Sequence, residues 1–453
     1  MRISDAIKIR RKALLSDTAL FWLVLIGPMI ACVLFGAVDS GTWALIAIVT
    51  GVGVLFWATA SWRSREIKIT RSPLILPLAA FFCLALVQIM LGTTLDPYAT
   101  RLFAFRLGVY LLFFLAALST ITTAKRVIFA RNAIVLFGGC LAFFSILQRL
   151  AAIEPIFGIR ETPQAIPFGP FVNQHHFAAF MVMICGLTFG TLFDRAASKN
   201  SKIVNLGVTV VAGAALVMTM SRGAWLAVLA ALLVVLVAML PFKRRHSTRD
   251  GKKKMLVPVL SAAVLIFAVL ALALFLGPDG TNLSLAGHGS DAEGFSSGRT
   301  HFWWVAWQIF LAHPVLGAGF DSFAVAFTKF DTWDGTFRIE RAHNDYLQIL
   351  ADGGITGFLC LISFAALFIR RSVSVIRTSS DEMRGLAVGA FAGCVGILVH
   401  SFVDFPLRTP SNAFFFLLLV VLATLRLDDK AHFGGDSTVT STSAEPHGKL
   451  NLT

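Results

Sequence analysis

The chain has 453 residues, of which 57% are hydrophobic and only 14% charged, with a mean hydropathy of +0.77. Ordinary globular chains are about half apolar and a quarter charged, so a sequence with 41 Phe and this few charges cannot cover a water-facing surface, and a soluble multidomain protein is excluded. The net charge of +14 leaves nucleic-acid binding open only until the positions of the basic residues are considered.

Apolar runs about twenty residues long predict spanning helices, not the roughly ten-residue strands of a membrane barrel. The first covers 18–38. It follows a basic start (Arg2, Lys8, Arg10, Arg11, Lys12) and lacks a small-x-small cleavage pattern, which predicts a retained span and not a signal peptide. Further runs cover 43–60, 73–92, 102–119, 127–150 and 174–193. The stretch from Ile203 to Leu240 is too long for one crossing. Ser221-Arg222-Gly223 divides it, because an arginine at mid-membrane is costly and glycine tolerates a turn. Runs at 255–276, 345–369, 385–400 and 411–426 complete an expected twelve.

The expected organisation is therefore an all-α integral membrane protein with about twelve transmembrane helices. Residues 1–170 hold the first five spans and a first outer loop, and 171–276 hold spans six to nine. Residues 277–344 form one large periplasmic loop containing short helices, 345–426 the last three spans, and 427–453 a Gly/Ser/Thr-rich cytoplasmic tail whose composition predicts disorder. With the N-terminus inside, 28 Lys and Arg fall on the cytoplasmic side against ten outside, the positive-inside pattern. Lys243-Arg244-Arg245 and Lys252-Lys253-Lys254 then read as topology anchors facing anionic lipid, and nucleic acid is not an expected partner. All six cysteines fall in apolar runs without a CxxC pair, so neither disulfides nor a zinc site is expected.

Within the large loop, Arg299 to His313 has the pattern of an amphipathic helix with Trp303, Trp304 and Trp307 grouped on it. Interfacial tryptophans predict a helix lying on the outer leaflet; stacking of one ring on a sugar is the sharper alternative. Ionisable groups at membrane edges are functional candidates by default. On the outer side these are Arg222, Arg299, Arg341, His343, Asp345, Asp404 and Arg408, with His175, His176 and His400 beside them. Arg222 stands out, since a tight hairpin between two apolar spans needs no arginine, although a snorkelling anchor is the plainer account. Several arginines without a matching acidic cluster suggest an anionic ligand, because guanidinium groups take phosphate oxygens bidentately. Asn344 or Asp345 would cap the helix that starts there. His343 is left over by that account, and a histidine is a natural base for an acceptor hydroxyl. His400 and Asp404 are four apart and, with His175 and His176, make a metal site conceivable, but no acidic pair accompanies them and no metal or other cofactor is expected. There is no Gly-rich phosphate loop, GxSxG elbow or HExxH.

Four segments carry a family resemblance. SRGAWLAVLAALL (221–233), GRTHFWWVAWQIFLAHPVLGAGFDSF (298–323), RAHNDYLQILADGGITGFL (341–359) and HSFVDFPLRTPSNAFFFLLL (400–419), in that order, resemble the O-antigen ligase/polymerase superfamily over roughly 170–425. The His-Asn-x-x-Leu element at His343, Asn344 and Leu347 is fairly specific. Asn173-Gln174-His175-His176-Phe177-Ala178 is similar to the family's Asn-x-Asn-His-x-Ala element, with Gln-His where Asn-His is commoner. Asp352-Gly353-Gly354 stands where Glu-x-Gly is commoner.

The resemblance implies a membrane glycosyltransferase of the inner membrane, with both termini cytoplasmic and its active site periplasmic. It would transfer a glycan from undecaprenyl diphosphate to a sugar hydroxyl of lipid A core or a similar acceptor, without metal. Arg222 and Arg299 would hold the diphosphate, His343 would orient or deprotonate the acceptor, and Arg341, Asn344, Asn173 and His176 would contact substrate. The alternatives are an O-antigen or exopolysaccharide repeat-unit polymerase, with a growing polysaccharide as acceptor, and a twelve-span transporter. Against the transporter, the polar groups gather at one face and no paired broken spans are evident.

Overall fold

The computed structural model describes residues 3–64, 70–153, 155–162, 165–239, 298–333 and 338–426. Among these residues the chain is helical, apart from two isolated bridges, Ile156 with Arg160 and Phe168 with Phe171. The first eight helices are α1 (Ile3–Val33), α2 (Ser40–Ser64), α3 (Ile75–Met90), α4 (Pro97–Thr120), α5 (Ala124–Leu150), α6 (Gln174–Phe193), α7 (Lys199–Met218) and α8 (Arg222–Met239). After 240–297 come α9 (Arg299–Ala312), α10 (Phe323–Phe330), α11 (Asp345–Thr378), α12 (Asp381–His400) and α13 (Pro410–Thr424). Short 3₁₀ turns occupy Phe35–Ala37 and Pro406–Arg408.

Nine of these helices are long and apolar enough to cross a membrane, while α3 and α13 are shorter, at 16 and 15 residues. The expected span at 255–276, the basic runs at 243–245 and 252–254 and the tail after Arg426 lie outside the described residues. Two boundaries differ from expectation. α1 begins within the basic N-terminus, and α11 continues nine residues past its apolar run through Arg370, Arg371 and Arg377. Helix and span are separate properties: arginine propagates a helix well while ending the hydrophobic stretch.

Capping side chains set several helix starts. Asp96 accepts from Ala99 N at the head of α4, Thr123 from Arg126 N at α5, Asn173 from His175 N at α6, and Ser198 from Ser201 N at α7. Each satisfies a backbone donor that the first turn leaves unpaired.

Helices α6 and α13 form the centre. Every residue of α13 is buried, which explains its uniform hydrophobicity. α6 lies against α12 so closely that a Cβ on Gly186 would overlap the backbone of Gly393; glycine allows the two backbones to touch. α8 runs antiparallel to α12. Ala238 O accepts from Arg384 Nη2 at 2.8 Å at one end, and Gly223 lies against His400 at the other. α7 starts beside the Phe193 end of α6, so the chain reverses between Met218 and Arg222, as the split at Ser221-Arg222-Gly223 predicts. The N-termini of α6 and α8 and the C-terminus of α12 thereby share one end of the bundle.

α9 forms over the residues that the sequence marks as a helix, with one face against protein. Its Phe302, Val305, Ala306 and Ile309, spaced i, i+3, i+4, i+7, pack into a cluster with Phe323, Phe327, Ala342 and Ala351, so the helix docks onto α10 and α11. Trp304 and Trp307 remain exposed.

α11 is interrupted at Gly354, whose φ of 60° and ψ of −163° are open to glycine alone. The strap 313–320 fills the break: Ile355 N donates to Pro314 O, Thr356 N to Val315 O, Ala318 N to Ala351 O and Gly319 N to Asp352 O. Gln88 of α3 completes the join, donating to Leu316 O and Asp352 O and accepting from Phe320 N. The strap and Gln88 thus meet Ala351 O, Asp352 O, Ile355 N and Thr356 N within protein, as a break in an apolar helix requires.

Candidate functional site

The first turns of three helices converge at the shared end. His175 of α6, Arg222 and Trp225 of α8, and Arg299 of α9 line a cavity of about 190 Å³, closed by Ser221, His400, Val403 and Asp404. Each arginine is the first residue of its helix. In both cases a residue in the left-handed region precedes that start: Met220 at φ 54° before α8, and Gly298 at φ 76° before α9. Helix N-termini carry unpaired N–H groups and about half a positive charge each. Two guanidiniums are added to three such ends, and Asp404 is the only carboxylate among the described residues that line the cavity. Burial pushes the Arg299 pKa down; Asp404 opposes this, and Arg222 adds to it. A site with this imbalance favours an anion.

His343 sits behind Asp404. Its Nδ1 is 3.6 Å from Asp404 Oδ1, a distance longer than a hydrogen bond. The His343 side chain is 33% exposed and that of Asp404 is 3% exposed. Phe405 meets the His343 ring edge-on at 4.8 Å, and Phe302 stands 5.9 Å away on another side. The backbone of His343 has φ 50°, sparsely populated for a residue with a Cβ. Asn344 holds this turn by capping α11, accepting from Tyr346 N and Leu347 N at 3.0 Å. Asp345 N donates to Ser401 O and its carboxylate accepts from Ser401 Oγ, tying the segment to the end of α12. Burial would raise the Asp404 carboxyl, but His343 and then His176, His400 and His175 outweigh it and hold Asp404 well below the usual carboxylate range.

Other residues singled out in the sequence take different places. His176 points inward, with Nδ1 2.7 Å from Thr409 Oγ1 and its ring edge-on to Phe405, and it is His175 that lines the cavity. Asn173 caps α6. Arg341 bonds to Asp321 and belongs to a second cluster. There Arg408 reaches Asp321 at 2.9 Å, Asp352 at 3.3 Å and Asp345 at 3.8 Å, and Arg106 approaches Asp321 at 3.9 Å. Burial would raise the Asp321 carboxyl; Arg341, Arg408 and Arg106 overcome this and lower it. Burial would lower the Arg408 guanidinium, and Asp321, Asp352 and Asp345 instead raise it. Three arginines here face three aspartates, and the cluster closes on itself.

Asp404 and His400 were visible as charges at a span end, four residues apart, but nothing local shows that Asp404 faces a histidine 61 positions earlier in the chain. No group of three or more His, Cys, Asp or Glu among the described residues is arranged to hold a metal ion. A larger cavity of about 550 Å³ lies between the end of α5 and the first outer loop, with Arg149 and Glu161 on its wall. It has no histidine.

The O-antigen ligase family model matches residues 207–362, about a third of the chain, and supports membership of the O-antigen ligase superfamily. The matched stretch contains Arg222, Arg299, Arg341, His343 and Asn344; Asn173, His176 and Asp404 lie outside it. No curated protein matches the sequence. Over that stretch the chain is similar to the O-antigen ligase family, and nine helices among the described residues are long and apolar enough to cross a membrane.

Proposed function

We propose that the protein is a ligase-type glycosyltransferase that moves a glycan from undecaprenyl diphosphate to a sugar hydroxyl of lipid A core or a similar acceptor. The transfer takes place at the periplasmic face of the inner membrane. One observation carries this reading: Arg222 and Arg299 meet at three helix N-termini over a cavity that also contains Asp404, the partner of His343. The cavity is smaller than the roughly 300 Å³ of an ordinary small-molecule pocket. It suits a diphosphate, with the glycan and the lipid lying outside it.

In the proposed reaction the acceptor hydroxyl attacks the anomeric carbon, and the bond from that carbon to the diphosphate oxygen breaks. The electron pair leaves with the diphosphate, whose growing charge falls on Arg222 and Arg299. His343, with Nδ1 turned to Asp404, receives the hydroxyl proton on Nε2. Asp404 would stabilise the imidazolium so formed. Direct displacement inverts the anomeric centre; NMR of a product that keeps the donor's configuration would refute it. Asn173 and Asn344 contribute by holding the helix starts that carry His175 and His343, and Arg341 by bracing the turn before His343. His176 supports that turn through Phe405.

The test is a surface-polysaccharide gel of a deletion strain complemented with wild type or His343→Ala. Ligase function predicts that the variant accumulates lipid-linked polymer of full length and leaves lipid A core bare. Core bearing a single repeat unit would point to a polymerase of the same superfamily, and unchanged glycans with normal protein abundance would rule out both.

A further inference from the structure

The α9 end of the site carries a second feature. His301 lies parallel to Trp333, with ring centroids 4.3 Å apart and planes 10° from parallel, and stacks more loosely on Trp304 at 6.0 Å and 22°. Its Nε2 is 2.8 Å from Asp331 Oδ1, which also accepts from Trp333 N at 3.1 Å. The histidine is thereby fixed between two indoles that remain 38% (Trp333) and 46% (Trp304) exposed. Such a column is not needed to dock α9, whose packing face is Phe302, Val305, Ala306 and Ile309.

Its position ties it to the reaction centre. Trp333 lies against Gly298, where an added Cβ would stand 2.8 Å from the indole, and Gly298 directly precedes Arg299. Phe302 touches Trp333 edge-on at 5.8 Å and His343 at 5.9 Å, so one ring separates the column from His343. A glycan whose first sugar is at His343 lies outside the cavity, and on the α9 side Phe302 leads from His343 to the Trp333 column.

We propose that Trp333, stacked on His301 and flanked by Trp304, is a saccharide platform that binds a pyranose ring of the glycan beside the reacting bond. This rests on the glycan-transfer reading given above. A pyranose presents C–H bonds on one face, and these match the electron-rich face of an indole. His301 and Asp331, bonded to each other behind the indole, hold its plane in place. Lipid seating is the competing use for tryptophan at this depth. It fits Trp307, which is exposed further along α9 and outside the stack, but does not account for a rigid column at the Arg299 end.

The experiment titrates lipid-free oligosaccharide, released by mild acid from the cells' own surface polysaccharide, into the purified full-length protein in nanodiscs, and measures transfer in parallel. Trp333→Ala is expected to weaken binding about tenfold and to raise KM for the glycan more than it lowers kcat. Trp333→Phe should retain affinity within about threefold, and Trp307→Ala should bind as wild type. Wild-type affinity in Trp333→Ala would overturn the platform, as would an equal loss in Trp307→Ala. So would a Trp333→Phe variant that is as stable as wild type yet as weak as Trp333→Ala. Absence of oligosaccharide binding with intact transfer would remove the platform alone; absence of both would remove the functional reading with it.

Discussion

The end of the bundle that carries His343 contains two arginine clusters built from the same residue types, with Asp404 of one four residues before Arg408 of the other. In the Asp321 cluster, Arg106, Arg341 and Arg408 meet Asp321, Asp345 and Asp352, and each charge faces an opposite one. In the cavity, Arg222 and Arg299 lie beside Asp404, the only carboxylate among the described lining residues, itself drawn toward His343. Placement separates the two: the Asp321 cluster turns its charges on one another and braces α4, α11 and the loop before α13, while Arg222 and Arg299 line a cavity at helix N-termini, a setting complementary to an anion. An inventory of arginines would have ranked them equally.

That contrast breaks most visibly at Arg408. Arg408→Ala leaves three aspartates without their shared partner, and removing one member of a buried ionic cluster costs about 3–5 kcal/mol. Thermal unfolding in detergent should show a large drop in Tm, with little folded protein recovered; an unchanged Tm would mean that the cluster is not structural. Next come Arg222→Ala and Arg299→Ala. Each should fold with near wild-type Tm yet lose about 10²–10³ in kcat, the scale of removing one stabiliser of developing anionic charge. Lysine at either position should recover only part of this, lacking the bidentate fork. A Tm loss as large as that of Arg408→Ala would erase the distinction.

Asp404→Asn sharpens the cavity side. It keeps shape and removes the charge that orients His343, so kcat should fall about tenfold to a hundredfold, less than the 10²–10⁴ of a general base itself, with KM little changed. A change in KM alone would move Asp404 from orienting His343 to holding substrate. The smallest effect concerns acid. The Asp321 carboxyl is held below its ordinary value of 3.8 by Arg341, Arg408 and Arg106 against burial. A depressed folded-state pKa gives stability that is fully present above the unfolded value and is lost as pH falls through the folded one. The Tm difference between wild type and Asp321→Asn should therefore stay constant above about pH 4 and shrink below it; a gap that narrows already near neutrality would contradict the assignment.

Several features of the fold follow from local chemistry. The split before Arg222, the cap at Asn344 and the start of α9 at Arg299 are readable because each depends on residues within one turn of itself. α9 shows where such reading stops. Its tryptophans predict a helix lying on the outer leaflet, while the stripe of Phe302, Val305, Ala306 and Ile309 packs on α10 and α11, and an apolar stripe does not by itself say which elements will cover it. The end of α11 was missed for the converse reason: hydropathy marks the membrane, and the helix runs on through arginines beyond it.

For this protein, composition and hydropathy by themselves determined an all-helical membrane chain. Charge position determined which loops gather basic residues, and the spacing of Arg222, Arg299 and the His343-Asn344 element pointed to a family. Tertiary structure alone decided that Arg341 belongs to Asp321, that His175 and not His176 lines the cavity, and that His343 stands behind Asp404. The reason is range. Helix starts and spans are settled by contacts within a few residues, whereas pairing between charges depends on which helix ends are brought together, and packing along the whole bundle sets that.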